Sequence, residues 1–362
     1  MFESVDNNVD NNNVENSNNE NNGNTNDRQT MGRRPVFAPE PSPARKVAEG
    51  AMLVAAAVIF GLSASYLPFL WLVAMFLWPV PLALLVRRFG PGFGLAGTLL
   101  TTLILALFLG PLAAVFMLLN MGGVGFWYGY AARKELRPWF TVVAGVFIAA
   151  VSMVLMIVFS SLFTGLQLAD LQRQLDEMVE LYVGTMQSQG QLEQLLGSYS
   201  VAEYTKALQE TVAQLLPASL IFLAMLEAGI CYALNSYIFR RLGYPMAKLP
   251  PFREWRLHWM SLWGLIVALL AFIAYRNLEL EWCQVLYSNI MYIYQPLLLM
   301  SGVTLVYWLA DRLQMFWLYF LFLFMLVFYF NVTGPLLVLM GLSDSIWDIR
   351  RMFAKPPMDR VN

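Results

Sequence analysis

Charged and titratable side chains are scarce in this sequence. Asp, Glu, Lys and Arg make up 13% of the residues, compared with about 25% in a soluble globular domain. The chain has one histidine and two cysteines, Cys231 and Cys283, which are too few for a disulfide framework or a cysteine–histidine metal site. The net charge is −1, and this near-neutral balance argues against a nucleic-acid partner, which requires a basic patch or stripe.

Motifs of the common enzyme classes are absent as well. The sequence contains no G-x-S-x-G nucleophile elbow, no H-E-x-x-H zinc motif and no P-loop. Its single histidine, His258, lies beside aromatic residues at an expected membrane boundary. We therefore expect no enzymatic activity, no catalytic residue, no metal and no cofactor. Any energy coupling has to come from an ion gradient or from a partner protein that hydrolyses ATP.

Long apolar runs dominate what is present, with 58% hydrophobic residues and a mean hydropathy of +0.55. A helix needs about 20 mostly apolar residues to cross a bilayer. Nine runs have this character: 47–65, 69–86, 92–109, 112–132, 139–163, 212–239, 257–275, 285–310 and 315–342. Because they are full helical runs and not short alternating segments, they predict an all-α, polytopic transmembrane helical bundle of about eight to ten segments.

Lysine and arginine are concentrated in alternate loops. Basic residues follow the second, fourth and sixth runs, at positions 87–88, 133–137 and 240–256, whereas the intervening loops are nearly uncharged or acidic. Basic loops stay on the cytoplasmic side of a membrane. We therefore expect the N-terminus and these loops to face the cytoplasm, in the plasma (inner) membrane of a bacterium.

The ninth run conflicts with this rule. Nine complete spans would place the C-terminus outside, although residues 350–360 are basic. Asn331 and Pro335 interrupt the run, and proline bends or ends a helix. We therefore expect a span that ends near Phe330 and a short half-helix that returns, which leaves an even effective count and a cytoplasmic C-terminus.

Three kinds of segment follow from this pattern. Residues 1–44 form an Asn-rich tail with almost nothing apolar to bury, and such a composition predicts disorder. Residues 45–352 form the multi-pass membrane domain, in which 164–211 is an extracytoplasmic loop. Residues 353–362 form a C-terminal tail.

The extracytoplasmic loop has the pattern of two helices. Apolar residues recur every three or four positions and predict an amphipathic helix: Leu168, Leu171, Leu175, Met178 and Tyr182. Ser200 and Glu203 form a capping-box pattern that predicts a second helix from Val201, with a kink or a new start at Pro217. The hairpin could rest on the bundle or at the lipid interface, or it could close a ligand pocket as a lid.

Glu227 is an acidic residue deep inside an apolar run. A charge at the bilayer centre costs about 2.5–3.5 kcal/mol on insertion scales and usually faces a cavity or a partner. Cys231 and Asn235 follow at successive i+4 positions and share its helix stripe. Glu227 is either a protonated group in an interhelical hydrogen bond or a proton- or ligand-binding carboxylate. With Asn235 and Asn120, another polar group at membrane depth, it forms our set of candidate ligand-binding residues.

Glycine pairs spaced by four residues occur in two of the early runs. The Gly90/Gly94 and Gly125/Gly129 pairs are small-xxx-small patterns, which let membrane helices approach closely. They predict helix packing.

Four short motifs carry a family resemblance. They are L-A-L-L-V-R-R-F-G at 82–90, G-P at 110–111 with G-F-W-Y-G-Y at 125–130, L-P-P-F-R-E-W-R-L at 249–257, and M-G-L-S-D-S-I-W-D-I-R at 340–350. Over about residues 45–352 the chain resembles the YybS-like family of predicted bacterial multi-pass membrane proteins, a domain of unknown function.

Ala51 and Ala55 enclose an A-x-x-x-A pattern in the first run. In this N-terminal half the chain also resembles the S components of energy-coupling-factor transporters, which dock onto their membrane partner through such a pattern. The resemblance implies a ligand pocket that is open to the outside, and ATP hydrolysis by separate coupling and ATPase subunits. Ala51 and Ala55, with Gly125 and Gly129, are therefore candidate residues for partner docking or helix packing.

Two functions remain open from the sequence. The first is binding or transport of a small molecule in the manner of an S component, without chemistry of its own. The alternative is a non-transporting scaffold in the lipid bilayer, in which residues 240–256 and 344–351 recruit cytoplasmic proteins.

Overall fold

A computed structural model of the chain describes residues 42–165, 168–192, 196, 199–244, 246 and 249–352. The two terminal tails, where disorder is predicted for residues 1–44, lie almost entirely outside this part. Within it, the secondary structure is helical and no strand occurs. The predicted all-α class of a polytopic bundle is confirmed.

The N-terminal part consists of five apolar spans. Their helices are α1 (Pro43–Tyr66), α2 (Trp71–Leu77), α3 (Pro79–Phe89), α4 (Pro91–Leu109), α5 (Pro111–Met117), a π-helical turn (Leu118–Gly122), α6 (Gly123–Arg133) and α7 (Pro138–Thr164). Gly90 and Gly110 stop the helices before them with φ angles of 99° and 87°, which side chains disfavour. A proline then starts the next helix, where its missing N–H costs nothing.

The predicted hairpin follows as α8 (Leu168–Ser188) and α9 (Val201–Arg241). The capping box is confirmed: the Ser200 N–H donates to Glu203 Oε2 at 2.9 Å, and the Glu203 N–H donates to Ser200 Oγ at 3.3 Å. The alternative of a new helix start at Pro217 is wrong, because α9 continues through it. With 41 residues, α9 is about 60 Å long, about twice the thickness of a hydrocarbon core.

The face by which α8 packs on α9 differs from the predicted stripe. Val179 and Val183 are buried against residues of α9, whereas Met178 and Tyr182 of the predicted stripe are more than half exposed. The side chains of Leu168 and Leu171 are among those not described. Both stripes have helical spacing, and the position of α9 selects the valine stripe.

The C-terminal part begins with the segment 249–261, which contains two short 3₁₀ turns, Phe252–Glu254 and Trp259–Ser261. The helices after it are α10 (Leu262–Leu278), α11 (Glu281–Leu313), α12 (Phe316–Phe328), α13 (Phe330–Trp347) and α14 (Ile349–Met352). Eight helices in the described part are long and apolar enough to span a membrane, and α12 and α13 form a further pair bent by 118°. The break lies at Tyr329, ahead of Asn331 and Pro335.

The chain enters and leaves the bent pair α12–α13 next to Arg253 of the 249–261 segment. Asp311, near the end of α11, receives a 2.8 Å bond from the Arg253 guanidinium, and Arg350, just after α13, donates to the Arg253 carbonyl. The 13 residues of α12 extend about 20 Å, less than a bilayer core of about 30 Å. The end of α11 and the residues after α13 therefore lie together at the 249–261 segment, as expected for a re-entrant pair.

Helix α3 is the centre of the N-terminal core. Its residues from Pro79 to Val86 are all buried, and side chains of α1, α4, α6, α7 and α9 contribute to the same core. On another side, α9 packs along α11, which in turn carries α10 and α13. Helix α9 thus joins the two parts of the bundle.

Candidate functional site

Glu227, Cys231 and Asn235 lie on the buried stripe of α9, as their spacing predicts. Glu227 is 4% exposed and the other two are fully enclosed. The Asn235 amide donates to the Cys231 carbonyl at 2.8 Å. Among the described residues, Glu227 Oε1 and Asn235 Oδ1 have no hydrogen-bond partner. The stripe therefore holds two acceptor atoms that are shielded from solvent and unsatisfied.

Tyr128 of α6 brings three helices together beside this stripe. Its hydroxyl donates to the carbonyl of Ala228 at 2.7 Å, and its ring meets that of Tyr232 edge to face at 5.8 Å. Gly145 of α7 makes room for it, because a Cβ there would lie 2.9 Å from Tyr128 Cζ. The tyrosine was not among the residues selected from the sequence, where nothing distinguishes it from the many other aromatics.

The chemistry available at this cluster is hydrogen bonding and proton exchange. A buried polar atom without a partner costs about 1–3 kcal/mol, and such groups in native proteins need a specific explanation. A carboxyl group offers a proton or accepts one, and an amide oxygen accepts a donor from a ligand. No group of three or more His, Cys, Asp or Glu residues within the described ranges could hold a metal ion.

The third candidate ligand-binding residue, Asn120, lies elsewhere. It is half-buried in the π-helical turn Leu118–Gly122, a form of helix that is rare and often found at functional sites. In the part of the chain that is described, no hydrogen bond joins it to Glu227 or Asn235. The structure therefore keeps Glu227 and Asn235 on one stripe of α9, about 12 Å apart along the helix axis, and places Asn120 in a different helical segment.

Gly125 and Gly129 lie at the contact between α6 and α3. A Cβ on Gly125 would approach the Pro79 carbonyl oxygen to 2.9 Å, and one on Gly129 would approach Ala83 Cα to 2.9 Å. Backbone atoms cannot rotate aside, so glycine is required here for close packing. These two residues are therefore inside the bundle and unavailable to a separate protein.

Ala51 and Ala55, unlike Gly125 and Gly129, lie on the outer surface of the bundle. Both are exposed on α1, while Leu53, Val54 and Ala57 of the same helix are buried in the core. The A-x-x-x-A face points away from the rest of the chain.

Arg350 joins several segments of the C-terminal part, and the sequence did not single it out. Its guanidinium binds the enclosed carboxylate of Asp344 at 3.0 Å, the Thr304 hydroxyl at 2.9 Å, and the carbonyls of Arg253 and Trp255. It thus ties α11, α13 and the 249–261 segment into one unit. No spacing rule connects these positions, because up to 97 residues separate them.

A second ionic contact fastens the start of α1. Glu49 pairs with Arg45 at 2.8 Å and with Arg88 at the end of α3, and Arg88 donates to the Tyr244 hydroxyl at 2.7 Å. The i,i+4 spacing of Arg45 and Glu49 could have indicated the first pair. The contacts of Arg88 depend on how the helices are arranged.

Comparison with known proteins gives one family and one curated relative. Residues 55–345 match the family described as "Predicted membrane protein (DUF2232)". The chain is 26% identical over 284 residues to "Uncharacterized protein YybS" of Bacillus subtilis (strain 168), a match that covers 75% of this chain and 86% of that protein. No solved structure matches the chain. The resemblance to the YybS-like family is confirmed, and the resemblance to S components stays a prediction.

Proposed function

We propose that this chain, which belongs to the DUF2232 family of predicted membrane proteins, binds a small molecule or a proton at Glu227 and Asn235 as part of a transport process. In this proposal the protein lies in a bacterial inner membrane, with the N-terminus and the basic loops in the cytoplasm. The chain itself catalyses no reaction.

The observation that carries the proposal is the pair of unsatisfied acceptors, Glu227 Oε1 and Asn235 Oδ1. A purely structural glutamic acid would be expected to use its carboxyl group between helices, because an unpaired polar atom is expensive in a bilayer. Here Glu227 Oε1 finds no such partner in the described part of the chain. A ligand or a transported proton supplies the missing interaction in our proposal.

An S-component-like mode of transport has two further supports. The core around α3 includes α9 as well as the five preceding spans, so the Glu227 stripe belongs to the N-terminal part that carries the resemblance. The exposed Ala51/Ala55 face of α1 is free for a helix of a coupling subunit. Small residues at such a face let a partner helix approach closely.

The scaffold alternative has less support from the contacts. It assigns partner recruitment to residues 240–256 and 344–351, yet several of their charges are satisfied within the chain. Arg256 pairs with Asp348, and Arg350 pairs with Asp344. Each such pair removes a charge that a cytoplasmic partner would otherwise contact.

The proposal is tested by purifying the protein gently in lipid nanodiscs and identifying bound small molecules by native mass spectrometry. Glu227→Gln preserves shape and removes the ionisable group. We expect it to lower the ligand-bound fraction about tenfold, since a hydrogen bond to a charged group contributes about 1.5–3 kcal/mol.

Glu210→Gln is the matched control, because Glu210 is exposed on the same helix. It should retain the ligand. Equal ligand occupancy in the Glu227→Gln, Glu210→Gln and wild-type proteins, together with equal proton uptake in proteoliposomes, would refute the role of Glu227.

A further inference from the structure

A cavity of about 920 Å³ lies at the end of α9, on the side of the basic loops. One wall is α9, and the other is the start of the 249–261 segment. The polar side chains that line it are Tyr232, Ser236, Tyr237, Arg240 and Arg241. Its apolar walls are Ala233, Leu249 and two prolines.

The two arginines of this cavity are remote from Glu227. Arg240 and Arg241 lie 13 and 14 residues beyond it on α9, about 20 Å along the helix axis, although Tyr232 beside the Glu227 stripe also lines the cavity. The exposures differ as well, because Tyr237 is 53% exposed whereas Cys231 is fully buried. An inference about the cavity therefore does not depend on the proposed role of Glu227.

Two arginines of the cavity lack acidic partners. In the part of the chain that is described, no carboxylate pairs with Arg240 or Arg241, whereas Arg253, Arg256 and Arg350 nearby each bind an aspartate. Both arginines line the same cavity, and an anion bound there is attracted by both positive charges.

Capping of α9 does not explain the arginines. The last carbonyls of the helix already accept backbone N–H groups, with Leu242 bonded to Ile238, Gly243 to Arg240 and Tyr244 to Phe239. The side chain of Arg241 instead donates to the Tyr237 hydroxyl at 3.1 Å and lies over that ring at 5.3 Å from its centre. This contact orients its guanidinium along the wall of the cavity.

The donor set matches a phosphate group. Guanidinium groups bind phosphate through paired N–H donors, and the hydroxyls of Tyr232, Ser236 and Tyr237 line the same space. A phosphate offers several acceptor oxygens at once, more than a carboxylate. We propose that this cavity binds a phosphate-bearing anion at Arg240 and Arg241.

Two kinds of molecule carry a phosphate group that fits the cavity: an anionic lipid and a soluble phosphate ester. Basic pockets between membrane helices bind the headgroups of anionic lipids, and Ala233 and Leu249 offer apolar surface to an acyl chain. A soluble phosphate ester would reach the same arginines from the aqueous side. The two sources differ in whether binding requires a bilayer.

The test compares the wild type with the Arg240→Gln/Arg241→Gln double variant. One arm uses nanodiscs of phosphatidylcholine with and without phosphatidylglycerol, and native mass spectrometry counts the retained phosphatidylglycerol. The other arm uses detergent-purified protein titrated with inorganic phosphate or glycerol phosphate, with the unfolding midpoint as the readout. Arg276→Gln is the control, since Arg276 is exposed at the far end of α10.

We expect the double variant to bind phosphate or phosphatidylglycerol at least about tenfold more weakly than the wild type, because it loses charged hydrogen bonds. The Arg276→Gln protein should bind as the wild type does. An effect in the lipid arm alone identifies a headgroup, and an effect in the soluble arm identifies a free phosphate compound.

The Arg240→Lys/Arg241→Lys and Ser236→Ala variants keep the test decisive if the glutamine variant fails to fold. Lysine retains the charge without the paired donors, so affinity should fall by less than in the glutamine variant and by more than in the control. Equal binding of both ligands by the wild type and by every folded cavity variant, or no binding by the wild type, would overturn the proposal.

Discussion

The side chain of Asn289 on α11 bridges the gap that Pro217 leaves in the hydrogen-bond ladder of α9. Its amide oxygen accepts the N–H of Ala218 at 3.0 Å, and its amide nitrogen donates to the carbonyl of Gln214 at 2.8 Å. Proline normally bends or breaks a helix because it removes a backbone donor. The donor that Pro217 lacks would have bonded the Ala213 carbonyl. The Asn289 side chain connects the next pair, the Ala218 N–H and the Gln214 carbonyl, and α9 continues without interruption.

This bridge predicts that Asn289→Ala destabilises the protein. The substitution leaves the Ala218 N–H and the Gln214 carbonyl without their partner, at a cost of about 1–3 kcal/mol. The measurement is the midpoint of unfolding in detergent, which should fall.

Pro217→Ala provides the control for that result. Alanine removes the proline ring from the helix and lets the Ala218 N–H bond the Gln214 carbonyl directly. Asn289→Ala should therefore cost less in the Pro217→Ala background, with a coupling free energy of about 0.5–3 kcal/mol. If the two substitutions are additive, the bridge does not compensate for the proline.

The contact between α11 and α13 predicts a steric effect at Gly341. A Cβ on this residue would lie 2.9 Å from the backbone nitrogen of Gly302, and a backbone atom cannot move independently of its helix. Gly341→Ala should therefore destabilise the protein by about 1–3 kcal/mol, as overpacking does. Gly229 in α9 has no heavy atom within 4 Å of the added carbon, and Gly229→Ala should be neutral or stabilising. Equal effects would exclude the steric explanation.

The shared contacts of Arg253 predict how the chain crosses the membrane. Single cysteines at Lys134 and Arg351 should react with a membrane-impermeant maleimide from the same side. Cysteines at Tyr199 and Glu281 should react from the opposite side. All four positions are exposed, and the native Cys231 and Cys283 are buried, which keeps the background low. Labelling of position 351 together with position 281 would show that α12 and α13 form a complete span.

The ion pair between Arg256 and Asp348 predicts a loss of stability in acid. Burial alone raises the pKa of Asp348, but the hydrogen bond from Arg256 and the charges of Arg256 and Arg351 outweigh it, so this pKa lies below its ordinary value of 3.8. A depressed carboxyl pKa stabilises the folded state above the ordinary value, and this stabilisation is lost as the pH falls through the folded-state pKa.

Asp348→Asn isolates this contribution, because asparagine tolerates the left-handed backbone at position 348, where φ is 49°. At pH 7 the variant should be less stable by at most about 1 kcal/mol, since the pair is partly exposed. The difference in unfolding midpoint should shrink as the pH falls below 3.8 and disappear below the folded-state pKa. A difference that is the same at pH 7 and pH 3 would contradict the assignment.

Local patterns were sufficient for the helices. The lengths of the apolar runs located the spans, and the Ser200–Glu203 capping box predicted the first residue of α9, Val201, correctly. The amphipathic helix α8 is present, but it packs on α9 through a second apolar stripe, because two apolar stripes share helical spacing and only contact with α9 distinguishes them. Likewise, Pro217 signals a break by itself, but the break is repaired by a residue that is distant in sequence.

The sequence alone determined that the chain is a helical membrane protein with a carboxyl group in its interior, because solvent preference and helix periodicity are local properties. The tertiary structure decided which faces are buried, that Ala51 and Ala55 remain exposed, and that the two ends of the α12–α13 pair lie together. These outcomes depend on contacts such as those of Arg253 with Asp311 and Arg350. Such contacts form only when helices that are distant in the chain pack together, so no local spacing encodes them.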